Sequence, residues 1–441
     1  MAVEREAGRR PYWNQVVFVL TAGWIVIWGY RMILTPIYPI ISAYFGGISN
    51  AQIGAITSSF FLGYVLMQIP SGLLVDRFGH RRVLIPGFSV FAAGATVVAL
   101  SASLPMLYCG SALAGLGCGT FYGTAYSLTA TYVPQERKSF ATAIVNSGTA
   151  VGSGVSLVSS SFLIGRGILP WYVFPAIIAV LCLIMIAVFA RFIRPALEMR
   201  GAAAALRAAV AADQVENAAD ARFRGSILRD LFRPHLIAAY VLYFSTLYSY
   251  NLIETWLPNF LETERGFSGG IVGIASSLVF FSAIPGALIW SRLADRIPER
   301  KIGLIIGLEL AAAGMLLLII KLTAAPMLVA GIIAYGFLGK LAVEPIIISW
   351  LTRFVSKKSV ATSFGVFNFF GMSASVVAPF VTGALSDAFS SKVYGFYVAI
   401  AIVLLGTLQF FLVNRALSAR AVRRANVIGS EPASIREEVH T

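Results

Sequence analysis

Apolar runs of twenty or more residues recur along the whole chain, separated by short polar stretches. The runs are continuous rather than alternating, which excludes the period-two pattern of barrel strands and predicts helices. Each run is long enough to cross a hydrocarbon core of roughly 30 Å. The pattern predicts twelve membrane-spanning helices, at 16–44, 53–75, 83–103, 105–133, 139–164, 169–193, 235–261, 271–293, 302–323, 325–354, 359–386 and 393–414. A single long polar connector, 195–234, rich in Ala, Arg and acidic residues, follows the sixth. The expected fold class is therefore an all-α membrane protein of two pseudo-symmetric six-helix bundles, 1–194 and 235–416. A linker at 195–234, helical on the surface or flexible, joins them, and a tail at 417–441 closes the chain.

An internal repeat supports the division. Residues 72–82 read Gly-Leu-Leu-Val-Asp-Arg-Phe-Gly-His-Arg-Arg, and residues 291–301 read Ser-Arg-Leu-Ala-Asp-Arg-Ile-Pro-Glu-Arg-Lys. Asp76 and Asp295 are 219 positions apart, close to half of the 441 residues. Pro39, Gly47, Ser49 and Gly54 match Pro258, Gly266, Ser268 and Gly273 at that same offset of 219. Several matches in one order indicate duplication, with parallel halves related by an axis along the membrane normal.

Composition agrees: 58% of residues are hydrophobic and 12% charged, against about 25% charged in a soluble domain. The net charge of +14 is a topology signal and not a nucleic-acid footprint. Placing the first residues in the cytoplasm puts Arg5, Arg9, Arg10, Arg81, Arg82, Arg137, Lys138, Arg191, Arg194, Arg296, Arg300, Lys301, Lys357, Lys358 and the basic tail from Arg415 on one side. The opposite loops then hold only Arg166, Arg265, Lys321 and Lys392. This positive-inside bias predicts a multi-pass protein of the cell (inner) membrane with both termini cytoplasmic and anionic lipid as a partner. The first run is too long for a cleavable signal and lacks a small-residue cleavage site. Cys109, Cys118 and Cys182 fall inside helices, so no structural disulfide is expected, and His80, His235 and His440 are too scattered to hold a metal. No nucleotide loop, metal set or nucleophile with a base is visible, so an enzyme is not expected, nor a cofactor.

Joined to the twelve helices and the central connector, the motif at 72–82 resembles the signature of the major facilitator superfamily between helices 2 and 3. The second copy departs from it, with Ser291 and Pro298 at the two glycine positions. The resemblance implies monomeric transporters working by alternating access around a cavity lined by helices 1, 4, 7 and 10. It assigns gating to Gly72, Asp76, Arg77, Gly79, Arg81 and Arg82, with Arg137 after helix 4 and Asp295 and Arg296 in the second copy. Asp76 would latch onto Arg137 and the start of helix 11 near Lys358; the bland alternative is that Asp76 and Arg77 cap helix ends. Two family features are missing. Ser111 stands at a position often arginine before Gly115-Leu-Gly117, and helix 5 reads Gly148 to Gly154 without a proline. Both absences count against a proton-driven exporter.

Four charges lie within helices that the resemblance assigns to the cavity: Arg31, Glu254, Lys340 and Glu344. A charge at mid-membrane costs at least about 3 kcal/mol and marks a functional position by default. Arg31 and Lys340, one from each half, suit a clamp for a small anion, Arg31 adding bidentate geometry for a carboxylate. The alternative is structural ion pairing, Lys340 with Glu344 at i, i+4, or Arg31 with Glu254. Fully ionised, the four sum to zero, so protonating Glu344 or Glu254 would free a cation for an anionic substrate. Tyr122, Tyr126, Asn146, Tyr250, Asn251 and Asn368 complete the expected substrate site. Each alone is more often a helix-packing hydrogen bond. The glycines of helix 4 read as close-packing positions, and Glu309 as snorkelling or paired with a neighbouring helix. Pro36 and Pro39 are expected to bend helix 1. Tyr30-Arg31 and Gly63 to Pro70 are similar to the anion:cation symporter branch, which carries sugar acids and other carboxylates. Several members have an aspartate at the position of Tyr30, and some a glutamate near Thr120 and Phe121. The expectation is proton-coupled uptake of a small organic anion; the alternatives are an anion exchanger and an exporter of amphipathic compounds.

Overall fold

The computed structural model describes residues 12–134, 138–193, 232–351, 353–354 and 360–429. Among them are twelve long helical elements: α1 Tyr12–Tyr44, α2 Asn50–Phe78, α3 His80–Ala99, α4 Leu104–Tyr132, α5 Lys138–Leu163, α6 Val173–Phe192, α7 Pro234–Arg265, α8 Gly270–Arg296, α9 Lys301–Lys321, α10 Ala325–Leu351, α11 Val360–Phe389 and α12 Val393–Gly429. Ten are long and apolar enough to cross a membrane among the described residues, and α2 and α5, at 29 and 26 residues, have the required length. The expected connector at 195–234 lies outside the described residues up to 231, as do Arg137, Lys357, Lys358, the first eleven residues and the tail from 430.

Neighbours repeat between the halves. α1 packs on α5 as α7 packs on α11; α2 on α4 as α8 on α10; α3 on α6 as α9 on α12. The two sixes meet along α2–α11 and α5–α8. Glycines allow these approaches. A Cβ on Gly54 would fall on the carbonyl of Pro379, and one on Gly383 on the carbonyl of Asn50. The α4 glycines act as expected, Gly115 against Phe60 of α2 and Gly117 against Phe91 of α3.

Two helices are interrupted, α1 where its prolines were expected to bend it and α10 against expectation. α1 breaks into a 3-10 turn at Thr35–Ile37, where Pro36 and Pro39 interrupt the hydrogen-bond ladder. α10 was expected continuous but breaks at Gly339, so that Lys340 begins a second segment. Pro345 cannot donate to the Leu341 carbonyl and crowds it, and the glycine just before absorbs the bend.

We call the membrane face that carries Tyr12 and Gly79 the near face, and the one that carries Gly46 and Gly266 the far face. At the near face Gly79 links α2 to α3 with φ of 83°, a conformation that disfavours any side chain. The second copy needs no such residue, because Pro298 opens a 3-10 turn, Pro298–Arg300, between α8 and α9. That explains why the repeat tolerates losing this glycine.

Candidate functional site

The charged residues singled out in the sequence converge. On α1, Trp28 and Arg31 are three residues apart and share a helix face. The Arg31 guanidinium carbon lies 4.1 Å from the Trp28 ring centre and 4.2 Å from that of Phe61 on α2. This aromatic sleeve holds the cation in place while shielding it from lipid. The head group then reaches across to α7. Its Nη2 donates to Asn251 Oδ1 at 2.6 Å and to the Glu254 carboxylate, which together form the next helical step on α7. The side chains of Arg31 and Glu254 are 5% and 0% exposed, so this is a fully desolvated ion pair between the two sets of six helices. Asn251 is itself oriented by donating to the Leu247 carbonyl at 2.7 Å.

A second pair lies beside it. Lys340 Nζ is 2.8 Å from Glu344 Oε2 on α10, with side chains 13% and 23% exposed. Lys340 also stands 5.3 Å from the ring centre of Tyr250, and lies within electrostatic reach of Glu254. Tyr250 is buried against both Glu254 and Arg31. Tyr243 of α7 donates to Glu344 and stacks on Phe367 of α11, ring centres 4.0 Å apart. Both ion pairings named from the sequence as the structural alternative, Lys340 with Glu344 by its i, i+4 spacing and Arg31 with Glu254, are therefore present, and they are neighbours.

Such an arrangement is poised. Removing an ion from water costs several kcal/mol, which attraction offsets only while the partner stays. Arg31 Nε and Glu254 Oε1 have no protein hydrogen-bond partner among the described residues, so the pair has unused donor and acceptor capacity. Next to Arg31, a small cavity between α1, α2 and α4, bordered by Tyr30, Tyr38, Thr57 and Ser111, has room for about one water. Tyr38 closes it towards the far face, its hydroxyl 2.8 Å from Thr57 Oγ1 and its ring against Trp256 of α7.

The remaining expected residues lie elsewhere. Tyr122 sits half-buried near Trp24, ring centres 6.3 Å apart. Asn146 is exposed. Asn368 donates to Gln68 of α2 at 2.9 Å, joining the halves. The side chain of Tyr126 lies outside the description, as does that of Asp76, so the latch to Arg137 does too. Of the near-face motif, Gly72 has nothing packed where a Cβ would sit. Arg77 and Arg82 are exposed and Arg81 is half-buried. In the second copy Asp295 pairs with Lys301 at 3.6 Å but is 75% exposed, and Arg296 is exposed; such a surface pair contributes at most about 1 kcal/mol. Glu309 does not snorkel. It is buried and meets Thr246 of α7, a neighbouring helix. Sequence reading missed Trp28, Phe61 and Tyr243; of these, only Trp28, three positions before Arg31, left a signal in the spacing.

At the far face the halves are tied again. Asp387, at the end of α11, accepts from Asn50 N and Ala51 N at 2.7 Å each and from Asn50 Nδ2 at 2.9 Å. These are the first amides of α2. Within the second half, Trp256 Nε1 of α7 donates to the Pro379 carbonyl of α11 at 3.0 Å.

The comparisons with known proteins agree with this architecture. The chain is 23% identical over 421 residues to the D-galactonate transporter of Escherichia coli, covering 92% of this chain and 96% of that protein. It is 24% identical over 397 residues to a protein of Agrobacterium vitis named for tartrate transport, covering 86% of each. Its fold is similar to a bacterial homolog of the human lysosomal transporter Spinster, crystallised in an inward-facing, unoccupied conformation. The TM-score is 0.68 at 18% identity, over 92% of this chain and 98% of that one. The family model of the Major Facilitator Superfamily matches residues 19–379 and 239–437. With twelve helices, repeated packing and a match over most of its length, this chain belongs to the Major Facilitator Superfamily of transporters.

Proposed function

We propose that this protein carries a small organic anion, a carboxylate or sugar acid, by alternating access, and that protons drive uptake. The observation that carries the proposal is the buried cluster in which Arg31 is held across the two halves by Glu254 and Asn251, with Lys340 in reach of the same carboxylate. A guanidinium already bound to one carboxylate has the geometry to take another. A substrate carboxylate competing with Glu254 for Arg31, or with Glu344 for Lys340, loosens contacts between α1, α7 and α10. Protonation of Glu344, the more exposed of the two carboxylates, releases Lys340 for the substrate and couples proton entry to anion entry. The two relatives above are named for hydroxylated carboxylates, which supports this substrate class. In this reading residues 1–194 and 235–416 are the two rocking bundles, both termini face the cytoplasm, and the protein sits in the inner membrane as a monomer.

The test is uptake into proteoliposomes of a carboxylate panel, with and without an inward proton gradient. Accumulation of an anion only with the gradient supports the proposal. Equal flux without a gradient, requiring anion inside, replaces symport by exchange. Preference for lipophilic cations refutes the anion reading. Glu344→Gln should retain anion counterflow and lose gradient-driven accumulation; retained accumulation rules Glu344 out as the proton site.

A further inference from the structure

One buried carboxyl takes no part in the cluster. Glu309 lies on α9 about 12 Å of helical rise from the near-face end, and is 1% exposed. No cation pairs with it among the described residues. Its partner is the hydroxyl of Thr246 on α7.

That hydroxyl constrains the count of protons. Thr246 Oγ1 also lies 2.9 Å from the Leu242 carbonyl, the usual back-bond of a threonine inside a helix. A hydroxyl has one proton to give. If Leu242 receives it, the contact with Glu309 requires a proton on the carboxyl. If Glu309 receives it, a full negative charge stands in the helix bundle with a single neutral donor, at a cost of several kcal/mol. The arrangement with every group satisfied has the proton on Glu309, which donates to Thr246.

Other groups do not supply the missing charge. α9, α10 and α12 pack together, and α7 reaches Glu309 through Thr246. Their titratable and charged side chains, among the described residues, are His235, Tyr240, Tyr243, Tyr248, Tyr250, Glu254, Glu262, Glu264 and Arg265 on α7, Tyr335, Lys340 and Glu344 on α10, Tyr394, Tyr397 and Arg415 on α12, and Lys301 and Lys321 at the ends of α9. Of these, Tyr335 interacts with Glu309, and it interacts with Glu254 as well. Its hydroxyl donates to Ser249 Oγ at 3.3 Å, and Ser249 donates to the Thr246 carbonyl at 3.0 Å. Hydrogen bonds therefore join Tyr335 to Ser249 and Ser249 to the backbone of Thr246, the residue whose hydroxyl meets Glu309.

We propose that Glu309 is a second proton-binding site, occupied in the conformation described here and emptied to near-face water when α7 moves away from α9. The carboxyl then keeps both electrons of its O–H bond and becomes a carboxylate. Its share in coupling rests on the function proposed above; its occupancy does not.

Infrared spectroscopy of the purified full-length protein tests occupancy without any substrate. A protonated-carboxyl C=O band should be present in the wild type and in Glu344→Gln, and lost in Glu309→Gln. Thr246→Val should shift that band, which keeps the assignment testable if Glu309→Gln does not fold. A wild-type spectrum without the band, or a band that survives in Glu309→Gln, overturns the proposal. For coupling, Glu309→Gln should move one proton fewer per anion, read by a pH indicator during uptake; an unchanged count overturns the coupling role. If the wild type transports no carboxylate, the anion reading falls, and the infrared band alone decides the proton site.

Discussion

The far-face tie through Asp387 gives the sharpest quantitative expectation. The N-terminus of α2 presents amides with no partner inside the helix. Ser49 caps the Gln52 amide and receives the Gln52 side chain on its own, a capping box that leaves the amides of Asn50 and Ala51 to Asp387. Asp387→Ala removes a charged acceptor from a helix N-terminus. The side chain is exposed, so water replaces part of what is lost. Cap deletions cost about 0.5–2 kcal/mol, and an anion at a helix start contributes about 0.3–1 kcal/mol. A loss of about 1–2 kcal/mol shifts a two-state ratio by roughly 5- to 30-fold. Because Asp387 belongs to α11 and the amides to α2, the whole loss falls on the far-face contact between the two halves. Spin labels at Ala102 and Ser268, both exposed at far-face turns on opposite halves, with the exposed Cys109 replaced, should show a longer-distance population rising by that factor. Gln52→Ala removes the capping-box side chain that accepts from the Ser49 amide within the same half, and should lower thermal stability while leaving the distance distribution alone. An Asp387→Ala distribution identical to wild type would refute the idea that this carboxylate holds the far face shut.

Three further expectations follow from the packing. Arg31→Gln or Glu254→Gln alone strands a buried charge and should destabilise the protein by about 3–5 kcal/mol, whereas the double variant recovers most of it; additive losses in thermal melts would disprove the pairing. Gly54→Val places a side chain against the Pro379 carbonyl and should widen the same far-face label distance, a result that an unchanged distance would contradict. Gly79→Ala should cost about 1–3 kcal/mol, because φ 83° with ψ 160° is a backbone region essentially confined to glycine. Pro298→Gly, at the matching place in the other half, should cost clearly less, and equal losses would mean the two joints are equivalent.

The cluster was legible in part. Arg31, Glu254, Lys340 and Glu344 stand out in a sequence because a charge inside an apolar run has few tolerable reasons to be there. The uncharged companions were less legible, because a buried tyrosine or asparagine is equally at home in helix packing. Tyr250 and Asn251 do join the cluster, while Asn146 is exposed and Asn368 turns to Gln68. Tyr243 escaped notice because its contact with Glu344 spans about a hundred positions and two helices, and no local spacing encodes such a meeting.

By itself the sequence determined that the chain crosses a membrane repeatedly, that it is a duplicated pair of six-helix units, and which charges are out of place. Those properties are local or periodic: helix length against bilayer thickness, charge against hydrocarbon, and repeats at a constant offset. Only the tertiary structure decided which charge meets which. It placed Arg31 on Glu254 across the two halves, broke α10 just before Lys340, and gave Glu309 a lone hydroxyl instead of a cation. Those outcomes depend on how helices are rotated and how closely glycines let them approach, and rotation about a helix axis is set by all of its neighbours at once.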